Sequence, residues 1–362
     1  SEMYPSVQMV HDVGEKRRRQ ARLNDRPYFM CEYAHAMGVG PGNAEAYWQE
    51  IYRYDSLMGG CVWEMVDHAV LHDDGRYTYG GDHGEWEHDG NFCVDGLFYP
   101  DRAPSTGAYI MRFIYRPFRV THCGGDRFEL FNTTAFSRGR YTLQFLWNDG
   151  SGTELTPDTA PLSKETVILP MGSAVDGTLL LTVKTIDTKT GRCVAEEQPI
   201  VTLAVPAAPA VKALPVGAGV QDGRFALQRD GKLLLTADTE GTLLYRASTD
   251  NDTDVFFRRP LTPWQNQRTE VVSCKGIANG YEVVTRLTNG KGCYTVTDTY
   301  QGTDKGVLVT SVLHRERGSR TVPRFGKVFR LDEIFDTVTY FARSGESYCD
   351  MKDQFCVQQV TC

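Results

Sequence analysis

No stretch of this sequence has the uninterrupted apolar run of about 20 residues that a membrane-spanning helix needs, so no membrane partner is expected. The first residues do not read as a secretory leader, with its charged start and apolar middle, and the expected location is cytoplasmic. Cysteine is present at 10 positions, yet no two stand as Cys-x-x-Cys and none has the spacing of a zinc site. The expectation is therefore reduced, buried thiols, with Cys31, Cys61 and Cys93 acting as small hydrophobes inside apolar segments. Positive charge is also short: 39 Lys and Arg against 46 Asp and Glu leave a net charge of -7. That balance argues against a nucleic acid or an acidic membrane surface as partner. The single basic run, Lys16-Arg17-Arg18-Arg19-Gln20-Ala21-Arg22, has no interleaved aromatics and reads as a solvated helix face.

What is there suits a globular chain of several domains. A length of 362 residues exceeds one ordinary core, and 23% charged with 41% hydrophobic residues is ordinary for packed protein. Up to about residue 118 strand and helix alternate. The stretch 14–23 is polar and helix-prone, 28–32 reads as a strand, and Asn43 caps a helix bearing Ala44, Tyr47, Trp48 and Ile51. Residues 58–63 form the next strand, and a last helix starts near Pro104. A closed eight-stranded barrel takes about 250 residues, so two such units are only part of one. Parallel strands need cover on both faces, which this segment alone does not supply.

From about residue 119 the period shortens to alternating strands at 118–122, 127–131, 141–147, 166–169, 178–183 and 200–205, the pattern of a small antiparallel sandwich. The proline-rich stretch 206–216 reads as a linker. Alternation resumes at 224–228, 232–236, 242–246, 281–287, 294–300 and 307–314. The fold class expected is thus multidomain α/β plus all-β, divided as 1–118, 119–205, 206–216 and 217–362.

The candidate chemistry sits in Tyr28-Phe29-Met30-Cys31-Glu32-Tyr33-Ala34-His35-Ala36-Met37-Gly38, where an apolar strand runs into a carboxylate. Strand ends are where barrels of this kind carry their catalytic groups. By position alone, a glutamate neutralised by Arg26 fits as well. Cys31-Glu32-Tyr33-Ala34-His35-Ala36-Met37-Gly38, however, resembles the nucleophile motif of family 2 glycoside hydrolases, in the β-galactosidase branch. Leu57-Met58-Gly59-Gly60-Cys61-Val62-Trp63-Glu64-Met65-Val66-Asp67-His68 resembles that family's last barrel strand. Asn91-Phe92-Cys93-Val94-Asp95-Gly96-Leu97-Phe98-Tyr99-Pro100-Asp101-Arg102 resembles the loop after it.

The resemblance implies the last two units of a TIM (β/α)8 barrel, then an immunoglobulin-like β-sandwich and an incomplete larger antiparallel β-sandwich. Arg246-Ala247-Ser248-Thr249-Asp250-Asn251-Asp252 resembles a turn of that larger sandwich, with Ser248 in place of a proline. Residues 340–350 match another of its segments, but Ala342-Arg343-Ser344 departs from the expected glycine and proline.

It further implies a retaining β-galactosidase acting on terminal β-D-galactosides such as lactose. Glu32 would be the nucleophile, and Tyr4, in Met3-Tyr4-Pro5, would hydrogen-bond it. His35 would contact sugar hydroxyls and Trp63 would pack on the apolar face of galactose. By position, His88 and Asp89 read equally as lining the pocket rim or as loop filler, while Glu64 and Asp67 read as loop carboxylates. Phe92, by its carbonyl, and Asp95, where the family has Asn, would be sodium ligands.

The same resemblance puts the general acid/base glutamate, the magnesium ligands with it and a further sodium ligand before the residue matched by Ser1. The partners implied are a galactoside, the N-terminal portion of the enzyme and, when complete, further copies in a homo-oligomer; the isolated chain would be inactive. The alternative reading is a non-catalytic, β-rich assembly or carbohydrate-binding subunit that complements another polypeptide.

Overall fold

The computed structural model describes residues 1–18, 23–38, 40–175, 177–201, 210–246, 262–343 and 356–362, with side chains throughout except at 238–240, 262–263 and 358. Parts of several expected features therefore lie outside the described residues: the end of the basic run, the strand at 200–205, the start of the linker, the turn at 246–252 and the segment 340–350. The chain divides into two compact units, Ser1–Pro206 with Thr339–Val360 and Ala207–Val338 with Thr361–Cys362.

The first unit opens with β1 (Glu2–Met3), α1 (Val7–Gly14), β2 (Tyr28–Tyr33), α2 (Ala44–Ile51) and β3 (Leu57–Val62). The three strands form one parallel sheet in the order β1-β2-β3. The first helix lies earlier than the polar stretch 14–23 suggests. Ser6 accepts the amide of Met9 at 3.2 Å and so starts it, and Val10 and Val13, three residues apart, bury one face. It ends at Gly14, where a Cβ would lie 2.3 Å from the Tyr54 ring. Asn43 does stand at the N-cap of α2, but in the left-handed conformation and without a side-chain bond to the helix. After a short hairpin, β4 (Val70–Leu71) and β5 (Tyr77–Thr78), comes α3 (Thr106–Ile114), preceded by Ser105.

The helices cover one side of the sheet, where Tyr28, Met30, Tyr33 and Leu57 pack with Val10, Ala44, Ile110 and Ile114. Among the described residues the opposite side is bare. Met3 is 60% and Met58 64% exposed, and Cys31 and Cys61 are exposed with them. The expectation of buried thiols thus fails at these two cysteines, because they alternate away from the helix-covered side. Cys93 is half-buried, with its Sγ 3.6 Å from the carbonyl of Gly90.

Seven strands follow: β6 (Phe118–His122), β7 (Arg127–Asn132), β8 (Tyr141–Trp147), β9 (Gly152–Leu155), β10 (Lys164–Ile168), β11 (Leu181–Asp187) and β12 (Cys193–Glu197). They make two antiparallel sheets, β10-β7-β6 and β12-β11-β8-β9, around Phe118, Phe128, Leu130, Leu143, Phe145 and Leu181. The strand expected at 178–183 starts later, since the Asn148 side chain binds the Thr178 carbonyl and the Leu180 amide, each at 3.0 Å.

The second unit holds β13 (Ala218–Gln221), β14 (Arg224–Arg229), β15 (Lys232–Leu243), α4 (Thr262–Gln265), β16 (Arg268–Ile277), β17 (Gly280–Asn289), β18 (Gly292–Thr303), β19 (Gly306–Gly318) and β20 (Gly326–Leu331). Its sheets are β13-β14-β15-β20 and β16-β17-β18-β19, with Phe225 stacked on Tyr300 at 4.6 Å in the core. The strands expected at 232–236 and 242–246 are one long β15 with a register shift between Ala237 and Thr242. Strands β21 (Thr339–Arg343) and β22 (Val357–Thr361) pair as a ribbon. No helix among the described residues is long and apolar enough to cross a membrane.

Within the first unit, one buried ionic joint ties the parallel sheet's layer to the strands after it. Arg116 Nε meets Glu197 Oε2 at 2.8 Å, its Nη1 stands 3.5 Å from Glu45 Oε2, and Arg119 also pairs with Glu45. Glu197 Oε1 accepts the amide of Val120 at 3.0 Å. Removing one partner of such a group strands a buried charge. Glu197→Ala is expected to lower the stability of this unit by about 3–5 kcal/mol in urea unfolding of the full chain; a loss under about 1 kcal/mol would show that Glu45 alone satisfies Arg116.

Candidate active site

A parallel sheet brings the carboxyl ends of its strands to one edge, and the expected residues gather there. Tyr4 follows β1, Glu32 is the fifth residue of β2, His35 lies just beyond β2, and Trp63 follows β3. The register pairs Met3 with Glu32, and the Tyr4 amide donates to the Glu32 carbonyl at 2.9 Å. The Tyr4 phenol stands beside the Glu32 carboxylate, near enough to feel its charge. Burial first, and then the neighbouring Glu32 carboxylate, push the phenol above its ordinary range, so it stays protonated at neutral pH. Tyr4 and Ala34 have φ of 47° and 50°, a left-handed conformation that costs an L-residue roughly 1–2 kcal/mol and turns the chain sharply at both strand ends.

The remaining members surround one carboxylate. Asp95 is only 2% exposed. Its Oδ2 accepts the indole N–H of Trp63 at 3.0 Å, and His35 Nε2 stands 3.5 Å from the same oxygen. The His35 ring lies between Tyr4, 5.9 Å away, and Phe92, 6.2 Å away. Trp63 is 40% exposed, leaving part of its ring open to a ligand.

Main-chain pairing sets this geometry. Glu64 N donates to Asp95 O, Leu97 N to Glu64 O and Phe98 N to Met65 O, at 2.9 to 3.0 Å, and Asp67 Oδ1 accepts the Gly96 amide at 2.7 Å. The loop after β3 is thereby pulled under the strand end. His88 stands differently: its contacts are with its own loop, where Nδ1 accepts the Gly90 amide at 3.1 Å and the ring lies on Gly81.

Two carboxylates read from sequence as loop residues belong to the cluster. The Glu64 side chain is in contact with Asp95, and burial followed by that contact pushes its carboxyl up, while His68 at 3.4 Å works the other way. Asp67 is buried and raised by burial, with the Gly96 amide partly offsetting it. An acidic residue directly after Trp63 was the available signal, but which loop it would face depends on pairing across 29 or more residues.

Asp95 Oδ1 is buried with no hydrogen-bond partner among the described residues, the kind of oxygen a hard cation takes. Asp95 therefore fits one ligand position of a sodium site. Magnesium finds no such set: among the described residues no group of three or more His, Cys, Asp or Glu side chains could hold a metal ion.

Residues 1–120 match the family described as glycosyl hydrolases family 2, TIM barrel domain, and residues 220–357 match the β-galactosidase small chain. The chain is 44% identical over 120 residues to a β-galactosidase of Actinobacillus pleuropneumoniae, a match covering 33% of this chain and 11% of that one. It is 45% identical over 124 residues to a β-galactosidase of Staphylococcus xylosus, covering 33% and 12%. The chain thus aligns with about a tenth of the length of these relatives. Superposition on the crystal structure of the Amycolatopsis orientalis exo-chitosanase gives a TM-score of 0.24 at 12% identity, covering 75% of this chain and 30% of that one, which carries no weight for the fold.

Gly96 tests the pairing that holds the cluster. A Cβ there would lie 2.3 Å from the Asp67 amide nitrogen and 2.4 Å from the Val66 carbonyl carbon, both backbone atoms. Gly96→Ala is expected to cost about 3 kcal/mol, at the upper end for overpacking, and to make Trp63 more accessible to acrylamide; unchanged stability and quenching would place the loop elsewhere.

Proposed function

We propose, because residues 1–120 match the TIM barrel domain of family 2 glycoside hydrolases and residues 220–357 the β-galactosidase small chain, that this chain carries the nucleophile half of a retaining β-galactosidase. The supporting observation is the Tyr4–Glu32 pair at the rim of a sheet with one bare face. In this reading residues 1–118 are the last two units of the barrel, 119–205 an immunoglobulin-like sandwich and 217–362 part of a larger antiparallel one. The N-terminal portion of the enzyme covers Met3, Cys31, Met58 and Cys61, because parallel strands are stable only when both faces are packed.

Glu32 attacks the anomeric carbon of a terminal β-D-galactoside such as lactose, forming a covalent sugar ester. The Tyr4 phenol, donating to the carboxylate once the sugar is bound, orients the attacking oxygen and then stabilises the departing one. A carboxylic acid from the N-terminal portion protonates the leaving oxygen, and water, activated by the same group, later frees the sugar with net retention. Trp63 takes the C–H face of galactose and His35 bonds its hydroxyls. Sodium, where bound by Asp95 and the Phe92 carbonyl, supplies a fixed positive charge beside those hydroxyls. Magnesium belongs to the other portion, and the complete enzyme is a homo-oligomer.

The test is complementation. The purified chain should hydrolyse a chromogenic β-galactoside only when mixed with the N-terminal portion, since loss of the acid alone costs a factor of about 10² to 10⁴. Substantial activity from the chain by itself would contradict the half-site. In the reassembled enzyme Glu32→Gln should cut turnover by orders of magnitude with little change in sugar binding, and Trp63→Ala should raise KM by about three- to tenfold. Unchanged turnover, or unchanged KM, would remove the respective assignment.

A further inference from the structure

We infer that Asp95 is the positioning residue of the sugar site: through its Oδ2 atom it holds the Trp63 indole and the His35 imidazole in one fixed frame. The inference rests on the glycosidase reading only for what the frame is used for; the frame itself is read from contacts.

The indole of Trp63 is 40% exposed and therefore is not locked by surrounding side chains. Its recorded polar anchor is the bond from Nε1 to Asp95 Oδ2, at 3.0 Å. His35 meets its aromatic neighbours Tyr4 and Phe92 at tilted angles of 53° and 54°, with centroids about 6 Å away, contacts that leave the ring free to turn. The fixed point on its ring is Nε2, 3.5 Å from that same Oδ2. One oxygen therefore relates two side chains that come from the ends of different strands, β2 and β3.

The carboxylate is itself immobile. It is 2% exposed, its carbonyl accepts the Glu64 amide at 2.9 Å, and the next residue, Gly96, is bound by Asp67 and has no room for a Cβ. A buried carboxylate oxygen that accepts an N–H fixes the direction of the donor ring as well as its distance. The other oxygen, Oδ1, is buried without a hydrogen-bond partner among the described residues, so it takes no part in holding the rings.

Asn and Leu separate this role from others. Asn keeps one oxygen for the indole N–H, whereas Leu fills the volume with no acceptor. In the full 362-residue chain, emission of Trp63 is obtained by difference from Trp63→Phe. Asp95→Leu should increase acrylamide quenching of that component at least twofold, and Asp95→Asn should restore most of the protection, with the urea midpoints of the two variants alike. In the reassembled enzyme Asp95→Leu should raise KM roughly tenfold or more while kcat falls less, and Asp95→Asn should recover most of the KM.

Three results would overturn the inference: Asp95→Leu leaving Trp63 quenching unaltered; Asp95→Asn failing as badly as Asp95→Leu; or replacement of sodium by choline freeing Trp63 in the parent as fully as Asp95→Leu does, which would make the cation the anchor. The fluorescence arm needs no turnover. If complementation yields no galactosidase but Trp63 responds as described, the frame stands and the glycosidase reading falls.

Discussion

In a parallel sheet all strands end at one edge, and the register that sets Met3 against Glu32 and Tyr33 against Val62 brings Tyr4, Glu32 and Trp63 to a common rim. A slip of one residue would send the carboxylate to the other face. The Tyr4 amide on the Glu32 carbonyl fixes that register at its end, and the left-handed residues Tyr4 and Ala34 turn the chain there. The meeting of Tyr4, Glu32 and Trp63 at one rim descends from this alignment.

The rim is supported from beneath and from behind. Beneath it, the strand-like pairing of residues 64–68 with 93–98 carries Asp95 under Trp63 and His35. Behind it, the Arg116, Glu197 and Glu45 group fastens α2, the helix that follows the Glu32 strand, to β12. Among the described residues helices pack one side of the sheet only, and the exposed methionines and cysteines on the other mark where more protein is needed if the strands are to be buried as parallel strands are.

Much of this was legible in the residues. The apolar run ending in Glu32 gave β2, the glycines and apolar residues from Leu57 gave β3 to within a residue, and short motifs pointed to Tyr4, His35, Trp63 and Asp95, which the fold does bring together. What escaped depended on contacts distant in sequence. Strand β12 carries two glutamates and reads as polar, yet Glu197 is buried because Arg116 comes to meet it. Glu64 and Asp67 looked like loop filler because only the loop's return places them beside Asp95 and Gly96. Helix α1 was misplaced because charge around residue 17 outweighed the shorter signal of Ser6 followed by Val10 and Val13.

The claim on which the rest turns is that the Glu32 carboxylate forms a bond to the sugar. The reassembled enzyme, treated with a 2-deoxy-2-fluoro-β-galactoside whose ester turns over slowly, can be digested and its labelled peptide sequenced by mass spectrometry. The account predicts one fluorogalactosyl group, on Glu32. A label on Glu64, on Asp95 or on any residue of the N-terminal portion would contradict it.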